Sequence, residues 1–122
     1  MVGVHCSVLV IDDDPAFREL AIRMLESMGL NVMNEAETFA AGVAAADELR
    51  PDAALVDVRL PDGDGFVLAR RLAALPWGPR VVVTSSDPDA GATESALRAG
   101  AVGFVAKADL PDGLLRRMLV GN

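Results

Sequence analysis

Four short apolar runs of this chain stop at aspartates, a threonine or a lysine. Ser7–Ile11 runs into Asp12, Asp13 and Asp14, residues 53–56 into Asp57, residues 81–83 into Thr84, and residues 102–106 into Lys107. If these runs are parallel strands, carboxylates, a hydroxyl and an ammonium converge at one edge of one sheet. In open α/β sheets that carboxyl edge is where ligands bind.

Carboxylates held within about 4–6 Å repel one another, so at least one pKa rises unless a cation joins them. Mg2+, a hard ion that takes one or two carboxylates with water and phosphate oxygens, resolves the repulsion. Asp57 stands alone at its strand end before a flexible turn and is the candidate nucleophile. A carboxylate attacking phosphorus gives an acyl phosphate. Lys107 would neutralise one phosphoryl oxygen and the Thr84 hydroxyl would bond another. Phosphoryl transfer rests mainly on positioning and charge neutralisation, and this set supplies both.

The elements needed to position these residues are legible in the spacing, which predicts five strands and five helices in strict alternation. The first strand, 7–11, leads through Asp14 and Pro15, an N-cap followed by proline at the first helical position. The helix that follows presents Phe17, Leu20, Ala21, Met24, Leu25 and Met28 on one face, and Gly29 stops it. A polar-ended edge strand at 31–35 precedes an alanine-rich helix over 38–49, which ends at Arg50 and Pro51. The third strand, 53–57, opens onto Pro61, Asp62, Gly63, Asp64 and Gly65, read as a turn. A helix over 65–75 packs through Phe66, Val67, Leu68, Leu72 and Leu75. Residues 76–79 connect it to the fourth strand. A polar loop at 85–89, a short helix to Arg98, a fifth strand over 102–106 and a last helix over 110–119 follow. Fully apolar runs suit interior strands, and right-handed crossovers put helices on both faces.

At 122 residues and 52% hydrophobic, the chain suits one domain with a core that needs no disulfide or structural metal. No apolar stretch approaches the ~20 residues that span a bilayer. Residues 1–5 lack the features of a signal peptide, and the single Cys6 fits a reducing compartment. A cytoplasmic location is expected. With a net charge of −7 and scattered basic residues, direct binding to nucleic acid is not expected. The pairs Arg70-Arg71 and Arg116-Arg117 are read as solvated helix faces.

Taken together, Val8-Leu9-Val10-Ile11-Asp12-Asp13-Asp14, residues 55–65, Val83-Thr84-Ser85 and Gly103-Phe104-Val105-Ala106-Lys107 resemble the receiver domain of bacterial two-component response regulators. The resemblance covers essentially the whole chain. It implies a flavodoxin-like α/β fold, a doubly wound five-stranded parallel sheet in the order 2-1-3-4-5 with five helices, as a single receiver domain over 1–122. It also implies that Asp57 accepts phosphate from a sensor histidine kinase, and that Thr84 and Lys107 contact the phosphoryl group. Asp12 and Asp13, with Asp57 and the Arg59 backbone carbonyl, would hold Mg2+ directly or through water. Phe104 matches the family's aromatic switch position and would act with Thr84 to switch the surface of the fourth helix, fifth strand and fifth helix. Arg59 and Ser86 occupy positions that tune phosphoryl lifetime. Ser85 stands where the family often has alanine, and Ala108 where it usually has proline. A trans Lys107–Ala108 peptide is therefore expected.

Residues 109–115 resemble the last helix of receivers joined to a helix-turn-helix domain. The chain is thus expected to be the N-terminal part of a longer regulator that meets DNA only through an output domain. A homodimer is allowed for and a membrane is not. Two other readings are weighed: a stand-alone or phosphorylation-independent docking module, and a phosphatase with an aspartyl nucleophile. Such phosphatases need a second acid two residues after the nucleophile, where Arg59 stands. Dinucleotide binding lacks its glycine-rich loop.

Overall fold

Most strands form where β-branched and leucine side chains run together, and three of the helices begin where an aspartate or threonine caps them. The computed structural model describes residues 6–87, 89–110 and 113–121; the expectations at residues 1–5, Pro88, Pro111, Asp112 and Asn122 lie outside them. In chain order the elements are β1 (Ser7–Ile11), α1 (Pro15–Ser27), β2 (Asn31–Ala36), α2 (Phe39–Leu49), β3 (Ala53–Asp57), α3 (Gly65–Ala73), β4 (Arg80–Ser85), α4 (Ala92–Arg98), β5 (Gly103–Ala106) and α5 (Gly113–Val120). Asp14 caps α1 by accepting from the Ala16 amide at 3.0 Å. Asp64 caps α3 through the Phe66 amide at 2.7 Å, and Thr38 accepts from the Ala41 amide of α2 at 3.0 Å.

The five strands pair in parallel in the order β2-β1-β3-β4-β5, which is the expected 2-1-3-4-5. Alternate side chains along each strand feed opposite faces. Leu9, Ile11, Ala54, Val56, Val81 and Val83 pack with Ala46 of α2, Leu68 and Leu72 of α3, and Ala96 of α4. Val8, Val10, Ala53, Leu55, Val82 and Val105 pack with Phe17, Ala21 and Leu25 of α1 and Leu115 and Leu119 of α5. The chain steps from β1 outward to β2 and then back across to β3. The crevice between the carboxyl ends of β1 and β3 is therefore the topological switch point.

Four expectations need correction. Leu20 is 61% exposed and Val67 51% exposed, so neither belongs to its helix's packed face. At 100° per residue, Leu20 lies roughly 100° from the centre of the face formed by Phe17, Ala21 and Leu25. The segment 59–64 is more than a turn, since Arg59–Leu60 and Gly63–Asp64 pair as a two-stranded antiparallel ribbon. The last helix does not start at Leu110: Lys107–Asp109 form a 3-10 turn, Leu110 is buried in the core, and α5 begins at Gly113. Arg116 is not a solvated arginine, because its Nε donates to the Met28 carbonyl at 3.1 Å and ties α5 to the end of α1.

Candidate functional site

The carboxyl ends of β1, β3, β4 and β5 bring Asp12, Asp57, Thr84 and Lys107 together because the strands are in register. Ile11 lies beside Val56, Asp57 beside Thr84, and Thr84 beside Val105. Asp12, Asp13 and Asp57 each offer one carboxylate oxygen to a cluster whose atoms all lie within 4.8 Å of one another. Asp12 and Asp57 are buried, while Asp13 is exposed.

Each acid has a distinct setting. Asp12 Oδ1 accepts from the Asp14 amide at 2.9 Å, which fixes its rotamer, and its Oδ2 lies 2.7 Å from the Lys107 ammonium. That second contact is ionic rather than a well-angled hydrogen bond. Asp57 is tied more loosely, with Lys107 Nζ at 3.6 Å from Oδ2 and the Arg59 amide donating to Oδ1 at 3.5 Å. Burial pushes the Asp57 carboxyl above the ordinary carboxylate value, and the Asp12 charge adds to the rise against the opposing pull of Lys107. Lys107 is gripped from a third side by the Phe17 ring, 4.2 Å from Nζ to the centroid.

Thr84 is fully buried, and its Oγ1 has no hydrogen-bond partner among the described residues. A buried hydroxyl left unpaired costs free energy, and beside Asp57 this one can donate to an incoming acceptor oxygen. Ser85 is also buried, and its hydroxyl accepts from the Asp87 amide at 3.0 Å. Phe104 is half-buried against the α3–α4 side of the core, in register with Val83. Arg59 and Ser86 are exposed at the rim. The Lys107–Ala108 peptide is trans, as are the other described peptide bonds.

Around these residues the loops are held tightly. The Gly65 amide donates to the Val58 carbonyl at 2.7 Å, and a Cβ on Gly65 would stand 1.9 Å from the Asp57 carbonyl oxygen. Only glycine lets α3 start this close to the end of β3.

Two residues at the site and one outside it carry contacts that the sequence did not announce. Phe17 was assigned to the core, and its ring also carries the Lys107 ammonium. Arg18 donates from Nη1 to the Asp12 carbonyl at 2.6 Å and pairs with Glu35 at 2.6 Å. A basic side chain near a helix start opposes the helix dipole, so its place there was a readable sign of acids beyond the N-terminus. Asp62, read as a turn former, accepts from the Phe39 and Ala40 amides of α2 at 2.6 and 3.0 Å. Those amides, Ala40 first, hold its carboxyl below the usual range.

The family described as response regulator receiver domain matches residues 8–118 of the chain. The "Probable transcriptional regulatory protein NarL" of Mycobacterium tuberculosis is 37% identical over 82% of this chain and 47% of its own length. The acid tolerance regulatory protein ActR of Rhizobium meliloti is 29% identical over 98% of this chain and 61% of its own length. The chain spans about half the length of the first curated relatives it matches. Among solved structures, the signal receiver domain of the M. tuberculosis NarL superposes with a TM-score of 0.82 at 31% identity, covering 95% of this chain and 98% of that one. A two-component response regulator of the LuxR family from Aurantimonas gives 0.84 at 25% identity, over 94% of this chain and 83% of that one.

Proposed function

The chain belongs to the receiver domain family of response regulators, and from that premise we propose that it is a phosphorylation switch whose phosphoacceptor is Asp57. The observation that carries the reading is the convergence of three carboxylates within 4.8 Å on a lysine and on a buried threonine hydroxyl with no partner among the described residues. The donor is a phosphohistidine on a sensor kinase. An Asp57 carboxylate oxygen attacks phosphorus, the P–O bond forms as the P–N bond breaks, and the imidazole leaves with the electron pair and then takes a proton. Lys107 shifts its ammonium from Asp12 toward the transferred group, and Thr84 Oγ1 donates to a phosphoryl oxygen. Positioning and charge neutralisation are what such a transfer needs from a protein. Hydrolysis of the acyl phosphate by water returns Asp57 and inorganic phosphate, so the chain catalyses only its own phosphorylation and dephosphorylation.

The oxygen-rich cluster suits Mg2+. Asp12, Asp13, Asp57 and the Arg59 carbonyl would hold it, and it would supply positive charge to the phosphoryl oxygens. Arg59 and Ser86, exposed beside the cluster, govern access of water and hence the phosphoryl lifetime. As Thr84 moves inward, Phe104 follows into the space beside it, and the surface of α4, β5 and α5 changes. Leu97 and Leu114, both exposed on that surface, are its apolar handles. The switch then alters a homodimer or another partner contact. Relatives about twice as long that are named transcriptional regulators support a DNA-binding output domain outside this chain. A cytoplasmic setting agrees with the absence, among the described residues, of any helix long and apolar enough to cross a membrane.

Incubation with acetyl phosphate and Mg2+ tests the reading. The wild-type chain should gain one base-labile, hydroxylamine-sensitive phosphoryl group, and Asp57→Asn should gain none. Full Mg2+-dependent labelling of Asp57→Asn would remove Asp57 from the role.

A further inference from the structure

We infer that Asp62 is a positioning residue for the metal site, holding the Arg59 carbonyl in ligating place by locking its ribbon onto the start of α2. The inference rests on the reading of the acidic cluster as a Mg2+ site and goes beyond it, because Asp62 touches neither Asp57 nor the other acids.

The ribbon that follows Asp57 is short, with only Arg59–Leu60 against Gly63–Asp64, and two such pairs are not stable alone. It is fastened at three points. At its base the Gly65 amide bonds the Val58 carbonyl at 2.7 Å, with no room for a Cβ. In its middle Leu60 is buried in the core. At its tip both Asp62 carboxylate oxygens bond α2, Oδ1 to the Phe39 amide at 2.6 Å and Oδ2 to the Ala40 amide at 3.0 Å. With Thr38 on the Ala41 amide, the first three amides of α2 are satisfied, two of them by a residue more than twenty positions away.

The tip contact is reinforced by packing. Gly63 stacks on the Phe39 ring so closely that a Cβ there would meet the ring at 2.7 Å, and Arg71 of α3 covers the ring at 5.8 Å. A carboxylate at a helix N-terminus also gains from the dipole. Helix, ribbon and α3 thus close on one another, and Arg59 sits on the strand of the ribbon between the phosphoacceptor and the tip. A carbonyl held in place before the ion arrives loses less freedom on binding. Linkage requires the converse, that the bound ion tighten the tip contact by the same factor.

The test uses the purified chain, with Mg2+ affinity measured by isothermal titration calorimetry. Asp62→Ala, which removes both acceptors, should weaken Mg2+ by about fivefold or more. Asp62→Asn, which keeps one acceptor, should fall between. Arg59 and Asp57 are unchanged in both, so acetyl phosphate labelling at saturating Mg2+ should stay near wild type. In the wild-type chain, Mg2+ should slow hydrogen exchange of the Phe39 and Ala40 amides. If both variants lose thermal stability yet bind Mg2+ as tightly as wild type, with exchange at Phe39 and Ala40 indifferent to the ion, the contact is a helix cap only and the inference is overturned. If the wild-type chain itself takes up no Mg2+, or if Asp13→Asn binds it unchanged, the metal reading fails and the inference falls with it. Because Asp62 is exposed, the variants are expected to fold.

Discussion

At the end of β3, Asp57 is 7% exposed with Asp12 as its acidic neighbour, and its carboxyl is raised by burial first and that neighbour second. The folded chain therefore favours the protonated form more than the unfolded chain does. What Asp57 contributes to stability is complete below the ordinary carboxylate pKa of about 4 and is lost as pH rises through the raised folded value. At neutral pH without divalent ions the charge works against the fold. Asp57→Asn should thus melt a few degrees above wild type in EDTA at pH 7, with the gap closing toward pH 4. An equal melting temperature at both pH values would mean that the carboxylates are solvated rather than packed together. Thr84 makes a parallel case for an uncharged group. Its buried hydroxyl has no partner among the described residues, so Thr84→Val should leave the fold about 1–2 kcal/mol more stable in urea unfolding, while impairing the response to phosphorylation. A loss of stability would show that the hydroxyl already has a partner, such as an ordered water.

The first helix start and one edge strand were legible because each has a local chemical signature, whereas the strand order came from the family resemblance. Asp14 before Pro15 caps α1 as expected, Thr38 and Asp64 prove to be the caps of α2 and α3, and the polar side chains of β2 mark it as an edge. The ribbon over 59–64 was not legible, since what holds it is Asp62 reaching α2 across the fold, and no spacing rule reports a contact of that range. The late start of α5 was missed for a related reason: Leu110 has the character of a helix residue, but its burial is decided by where β5 ends. Leu20 and Val67 lie off the packed faces because apolar type alone does not give angular position. Gly65 shows how an element depends on one atom. Replacing it with alanine puts a Cβ at 1.9 Å from a backbone oxygen that cannot swing aside. Gly65→Ala should cost about 3 kcal/mol or more and lower Tm by roughly 10 °C, with labelling of Asp57 reduced beyond what the lower stability explains. A variant that melts like wild type would mean that α3 can start further from β3.

Across the whole molecule, the acids gather at one edge of the sheet and the indole of Trp77 sits at the other. Trp77 Nε1 donates to the Pro51 carbonyl at 2.9 Å, and Arg50 covers its ring at 5.2 Å. Pro51 stands just before β3, whose far end is Asp57, so five residues at ~3.3 Å each put the site roughly 15 Å away. On the proposed reading Mg2+ would bind only the folded chain's cluster, so it should raise Tm in proportion to the logarithm of its concentration, by about 2.7 kcal/mol of stability at a hundred times Kd. A rise in Tm without a change in Trp77 emission is therefore expected in one titration, because stabilisation by linkage is global whereas the electrostatic perturbation is local. Both surfaces of the sheet are close-packed on apolar side chains, which transmit strain only when the packing itself rearranges. Strong quenching of Trp77 by Mg2+ would thus mean that binding shifts β3 along its whole length, and the switch would then work through the sheet rather than through Thr84 and Phe104 at its edge.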